Sequence, residues 1–161
     1  MTDVQIKRQN RKSLSMRVNA AGEVIVSIPR WMKPSHPTVK QFMAEGLKKL
    51  ESHIPAEKPT PQHDAKSIRA LVYEWAGKLD VQPSRVQFRQ MTRKWGSCSA
   101  KGSVTLNTAM FYLPQHLVEY VVVHELAHLI ELNHSPAFWA ILADHLPDYA
   151  ASEAELNQYR V

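Results

Sequence analysis

The sequence predicts an α+β fold, a single domain with a small antiparallel sheet near its start and its decisive helices near its end. Three observations carry this. Apolar and polar residues alternate within 4–28, the period of half-buried strands. A helical spacing of apolar residues takes over from Ser35 and again after Asp64. The run VVVHELAHLIELNHSPAFW at 121–139 is rich in helix formers and then restarts at Ser135-Pro136.

Taken in order, Leu14, Met16 and Val18 alternate with Ser15, Arg17 and Asn19. NAAGE makes a turn, Val24, Val26 and Ile28 alternate again, and Pro29 closes a sheet spanning 4–30. From Ser35 to about Ile54, Val39, Phe42, Met43, Leu47 and Leu50 fall on one helical stripe. PAEKPTPQHD, 55–64, holds three prolines and no apolar period, so it is read as a linker inside the domain. After Asp64 a second helix places Ile68, Leu71, Val72, Trp75 and Leu79 together. RVQFRQM, 85–91, reads as a strand. TRKWGSCSAKGSVTLN, 92–107, turns at its glycines and returns as a strand near Val104–Asn107. Pro114 opens the next helix, and 85–161 forms the half of the domain that carries the chemistry.

The chain has 161 residues, enough to bury a core, with hydrophobic and charged fractions ordinary for a globular protein. No apolar run approaches the roughly 18 residues of a membrane span, and the N-terminus has no apolar signal-like stretch. Cys98 is the only cysteine, which excludes an internal disulfide. A reducing, cytoplasmic location is the expectation. Over residues 1–118 Lys and Arg outnumber Asp and Glu nineteen to eight; over 119–161 they are outnumbered seven to one. The basic half is read as a solvated surface, with nucleic acid or a nucleotide as the anionic partner it would suit.

His124, Glu125, His128 and His134 lie in the most apolar part of the chain. Burying such groups is costly unless they share a partner. On a helix His124 and His128 sit about 40° apart on one face and can hold one metal ion. Glu125 lies about 100° round, placed to take a proton from an attacking water rather than to ligate. Zinc asks for a third protein ligand and an open position. His134 would miss the site on a continuous helix, about 9 Å further along the axis than His128. The chain is therefore expected to turn. Asn133 tolerates the left-handed conformation of a helix end, and Ser135-Pro136 caps a new helix, which puts His134 in an elbow. Glu153 and Glu155 are the rival third ligands. Arg93, Lys94 and Trp95 are candidates for holding substrate, and Cys98 is not read as a nucleophile because no activating partner is identifiable.

WGSCS at 95–99, Leu106-Asn107, Pro114, YVVVHELAHL at 120–129, NHSPAFW at 133–139 and PDY at 147–149 together resemble the YgjP-like (WSS or DUF45) metal-dependent hydrolases. These are relatives of the SprT and WLM peptidases among the zincin-like proteins. The resemblance implies a zincin-like fold, His124, His128 and His134 as ligands of zinc or another divalent metal, and Glu125 as the acid/base. It implies a zinc-dependent hydrolase of metallopeptidase type acting on peptide or protein. Two alternatives stay open. One is a metal-dependent nucleoside triphosphate pyrophosphatase, which the basic half would suit. The other is a non-catalytic, zinc-stabilised nucleic-acid-binding module, which would leave Glu125 without a task.

Overall fold

Three strands near the N-terminus, β1 (Val4–Gln9), β2 (Ser15–Val18) and β3 (Val24–Pro29), pair in the order β1-β3-β2. The computed structural model describes residues 4–55, 57 and 59–161. β2 and β3 form the expected antiparallel hairpin, with Met16 opposite Val26. β1, however, runs parallel to β3, with Ile6 beside Val26, so the sheet is mixed rather than antiparallel. Period-2 alternation reports which face a residue occupies and says nothing of strand direction. The segment between Gln9 and Ser15 is long enough to step across β3.

Helix α1 (Pro37–Leu50) follows, capped by His36, whose ring accepts from the Thr38 N–H, and a 3-10 turn (Glu51–His53) extends it. Val24, Val26, Ile28, Met32 and Val39 make a small core, against which Phe42, Met43 and Leu47 pack.

The chain forms two compact units, Met1–Thr60 and Pro61–Val161. The division falls inside the proline-rich segment at 55–64. The second unit opens with α2 (Ala65–Lys78), started by a capping box in which Asp64 accepts from the Ser67 N–H and the Ser67 hydroxyl accepts from the Asp64 N–H. Strands β4 (Arg85–Arg89), β5 (Gly96–Cys98) and β6 (Ser103–Asn107) pair in the order β4-β6-β5, repeating the topology of the first sheet. β4 is parallel to β6 and β5 antiparallel, which leaves β5 at the sheet's edge. Gly96 therefore lies in a strand and not in a turn. The turn between β5 and β6 is made at Gly102, whose φ of 80° suits glycine.

α3 (Gln115–Ala127) is the centre of this unit. Leu117, Val118, Tyr120, Val121, Val122, Val123, Leu126 and Ala127 are all buried, so it is apolar on every side. Burial from all directions overrides the modest helix propensity of Val121–Val123. α4 (Pro136–His145) and α5 (Tyr149–Leu156) pack near it, with Phe138 and Leu142 fully buried. Among the described residues no helix is long and apolar enough to cross a membrane.

Candidate metal centre

α3 presents His124 and Glu125 one residue apart, and His128 closes it as C-cap. The helix stops there, earlier than the run of helix formers through Leu132 predicts. The chain tightens instead into 3-10-like bonds, with the Leu129 N–H donating to Leu126 and the Ile130 N–H to Ala127. Ile130 and Leu132 are exposed, so no buried face rewards further helix. Asn133 is not left-handed; the only non-glycine residue with positive φ among those described is Asp80. The elbow is made by the tight turns, and Ser135 then caps α4 by accepting from the Phe138 N–H, with Pro136 at its first turn.

The elbow returns His134 to the other two rings. Nitrogens of His124, His128 and His134 lie within 4.8 Å of one another, and the Nε2 atoms of His124 and His134 are 3.0 Å apart. Tautomers follow from the partners. His128 Nδ1–H donates to the Glu131 carbonyl at 3.1 Å, which leaves Nε2 with its lone pair. His124 Nδ1 faces the Tyr120 hydroxyl at 3.5 Å. Burial first, and then the neighbouring imidazoles, pushes His124 down to about 4, and burial also lowers His128. Three imidazole nitrogens converging from the end of α3 and the elbow after it fit a divalent metal ion, because burial disfavours protonation of His124 and His128 and a metal needs unprotonated lone pairs.

Aromatic rings hold the imidazoles in place. Phe138 stacks on His128 with centroids 4.6 Å apart, and Trp139 stacks on His134 at 5.7 Å and on Tyr149 at 5.6 Å. The cluster opens into a cavity of about 430 Å³, whose lining includes Lys94, Trp95, Gly96, Ser97, Cys98, Tyr120, Glu125 and Glu153. Glu125 is 7% exposed and its desolvation raises the carboxyl from 4.5 to about 7, against the pull of Lys94. Lys94 and Trp95 thus line the cavity. Arg93 does not; it sits exposed on the bend before β5. Cys98 lines the cavity outside the histidine group, and burial and Glu125 push its thiol up to about 11, away from thiolate chemistry. Of the rival carboxylates, Glu155 pairs with His116 at 2.7 Å, and Glu153 lies on the cavity wall outside the histidine group.

A model of the YgjP-like metallopeptidase domain matches residues 57–159. The chain belongs to the YgjP-like family. The crystal structure of the metallopeptidase zymogen abylysin from Pyrococcus abyssi is similar at a TM-score of 0.51 and 25% identity, over 58% of this chain and 99% of that one. The metallopeptidase zymogen jannalysin from Methanocaldococcus jannaschii gives 0.51 and 24%, over 56% and 94%, a likeness of fold alone. No curated protein matches the chain.

In this YgjP-like domain two site residues lie beyond what the sequence reading singled out. Tyr120 is four residues before His124, so the helical period alone places it on the same face. Asn107, fully buried, donates from Nδ2 to the carbonyls of Met91 and Lys94, both at 2.9 Å, while its own N–H donates to Trp95. It clamps the 91–95 loop that delivers Lys94 and Trp95. A buried asparagine closing a strand is a signal for such a clamp, since its amide must find partners.

Proposed function

We propose that the chain is a zinc-dependent peptidase in which His124, His128 and His134 hold the metal and Glu125 is the general base. The observation that carries this is the convergence of three imidazoles in a cavity whose floor carries a buried carboxylate and whose wall is the edge strand β5. When bound, zinc supplies Lewis acidity that polarises a carbonyl and makes water a better nucleophile near neutral pH. Glu125 takes the proton of the attacking water and passes it to the departing amine. Its desolvated position keeps its proton affinity close to neutral, which suits both halves of that transfer.

The edge of β5 supports a peptide substrate, because an extended chain can add to it as a further strand. Lys94 stands beside this edge to take a substrate carboxylate or carbonyl. Among the described residues lining the cavity it is the only Lys or Arg, facing Glu125 and Glu153. That balance is a poor match for a triphosphate and favours peptide over nucleotide. Family membership and the description of abylysin as a metallopeptidase zymogen support the same reading.

The test is a screen of zinc-loaded protein against unstructured peptides and nucleoside triphosphates. Peptide cleavage that stops with chelator and returns with zinc is expected. Triphosphate hydrolysis without peptide cleavage would overturn the proposal.

A further inference from the structure

Gly96 opens β5 and is buried against α3. A glycine inside a strand weakens it, so its presence calls for a reason. Backbone conformation is not that reason, since among the described glycines only Gly22 and Gly102 have positive φ. Space is. A methyl group at Gly96 would lie 2.6 Å from Cγ and 2.6 Å from Oε1 of Glu125, and 2.8 Å from its Cδ. Such approaches are impossible, so either the carboxyl or the strand must move. Among the described residues no hydrogen bond holds the Glu125 carboxylate, so its direction depends on packing, with Lys94 the charge that attracts it.

We propose that Gly96 is a positioning residue for Glu125: its missing side chain lets the carboxyl lie between α3 and the edge strand, facing the cavity that holds the three histidines. The role assigned to Glu125 rests on the peptidase reading; the steric relation does not. Because β5 is also the strand on which an extended peptide would add, the same missing methyl sets the distance between a bound backbone and the base. Trp95 and Ser97 flank this point and already carry side chains into the cavity wall. The single gap in the strand's cover lies over Glu125.

The experiment is a thermal-melting cycle on the full chain, with metal content and kinetics measured alongside. Gly96→Ala should lower Tm in the wild-type background and leave it unchanged in Glu125→Ala, because the clashing atoms are gone. Gly77→Ala on α2, where an added methyl meets nothing, is the control and should melt at or above wild type. Metal content of Gly96→Ala should match wild type. Its kcat on peptide should fall about ten-fold to a hundred-fold with KM nearly unchanged, the signature of a displaced base. Equal loss of Tm in both backgrounds, loss of metal, or full kcat would each overturn the proposal. If Gly96→Ala does not fold, folding of the double variant upholds the clash and its failure refutes it. Absence of peptide hydrolysis in the wild type would remove the peptidase reading, and the melting cycle would still decide the placement of Glu125.

Discussion

The Nε2 atoms of His124 and His134 lie 3.0 Å apart although ten residues and a change of helix separate them in the chain. Two bare imidazole lone pairs repel at that distance, so a shared proton or a metal ion must sit between them. On the metal reading His134 is indispensable. His134→Ala should lose zinc to a mild chelator, while Glu153→Ala and Glu155→Ala should retain about one zinc per chain by elemental analysis. A carboxylate variant that empties the site while His134→Ala keeps its metal would refute the elbow as a ligand.

Trp139 lies over His134 and Tyr149 over Trp139, a column of three rings. Ring orientation at a metal site is commonly worth about ten-fold to a hundred-fold in affinity. Trp139→Leu should weaken zinc binding by about ten-fold in chelator competition, with Trp139→Phe closer to wild type. Equal affinity in both variants would show that His134 needs no stacking partner.

On the peptidase reading Glu125 is the base, and Glu125→Gln keeps its shape and removes its proton acceptance. Hydrolysis should fall about a hundred-fold or more while zinc content holds. Retained hydrolysis would rule Glu125 out as the base.

The same variant has a signature in metal-free protein. Glu125 is raised from 4.5 to about 7, so the folded state holds a proton there that the unfolded chain has released. That contribution to stability is full below pH 4.5 and lost as pH rises through about 7. His124, lowered from 6.5 to about 4, acts in the opposite sense: its contribution is present above pH 6.5 and lost as pH falls towards 4. His128, also lowered by burial, acts in the same sense as His124, and Glu125→Gln removes the carboxyl contribution while leaving both histidines. Between pH 4.5 and 7 the variant's stability relative to wild type should therefore rise by on the order of 3 kcal/mol, followed by urea denaturation in chelator. A difference that does not vary with pH would contradict the burial of Glu125.

Asn107→Ala removes the clamp on the 91–95 loop and strands two part-buried carbonyls. Stability should fall by on the order of 3 kcal/mol, and Asn107→Asp, which lacks the amide donor, should recover little of it. A loss below about 0.5 kcal/mol would show that the loop holds itself.

Much of the site is legible in the sequence because its parts are local. The four-residue spacing of His124 and His128 is a property of any α-helix, and Ser135-Pro136 marks a helix start wherever it occurs. The position of His134 follows from those two facts. What escapes is tertiary. The end of α3 at Ala127 depends on which side chains find burial beyond it, and Ile130 and Leu132 find none. Gly96 reads locally as a turn and acts as a strand, because the atoms that need its space belong to a residue 29 positions away. The parallel pairing of β1 with β3 is likewise invisible to an alternation that is identical in either direction.

The free edge of β5 is only three residues long. On the peptidase reading, a substrate laid along it is gripped by main-chain groups that every peptide shares, and little side-chain sequence is consulted. Selection then passes to conformation. A chain segment already bound in its own sheet or helix must first open, so cleavage tracks how often it does so. Such a peptidase would rank its targets by local instability, cutting frayed or damaged proteins before intact ones of the same sequence.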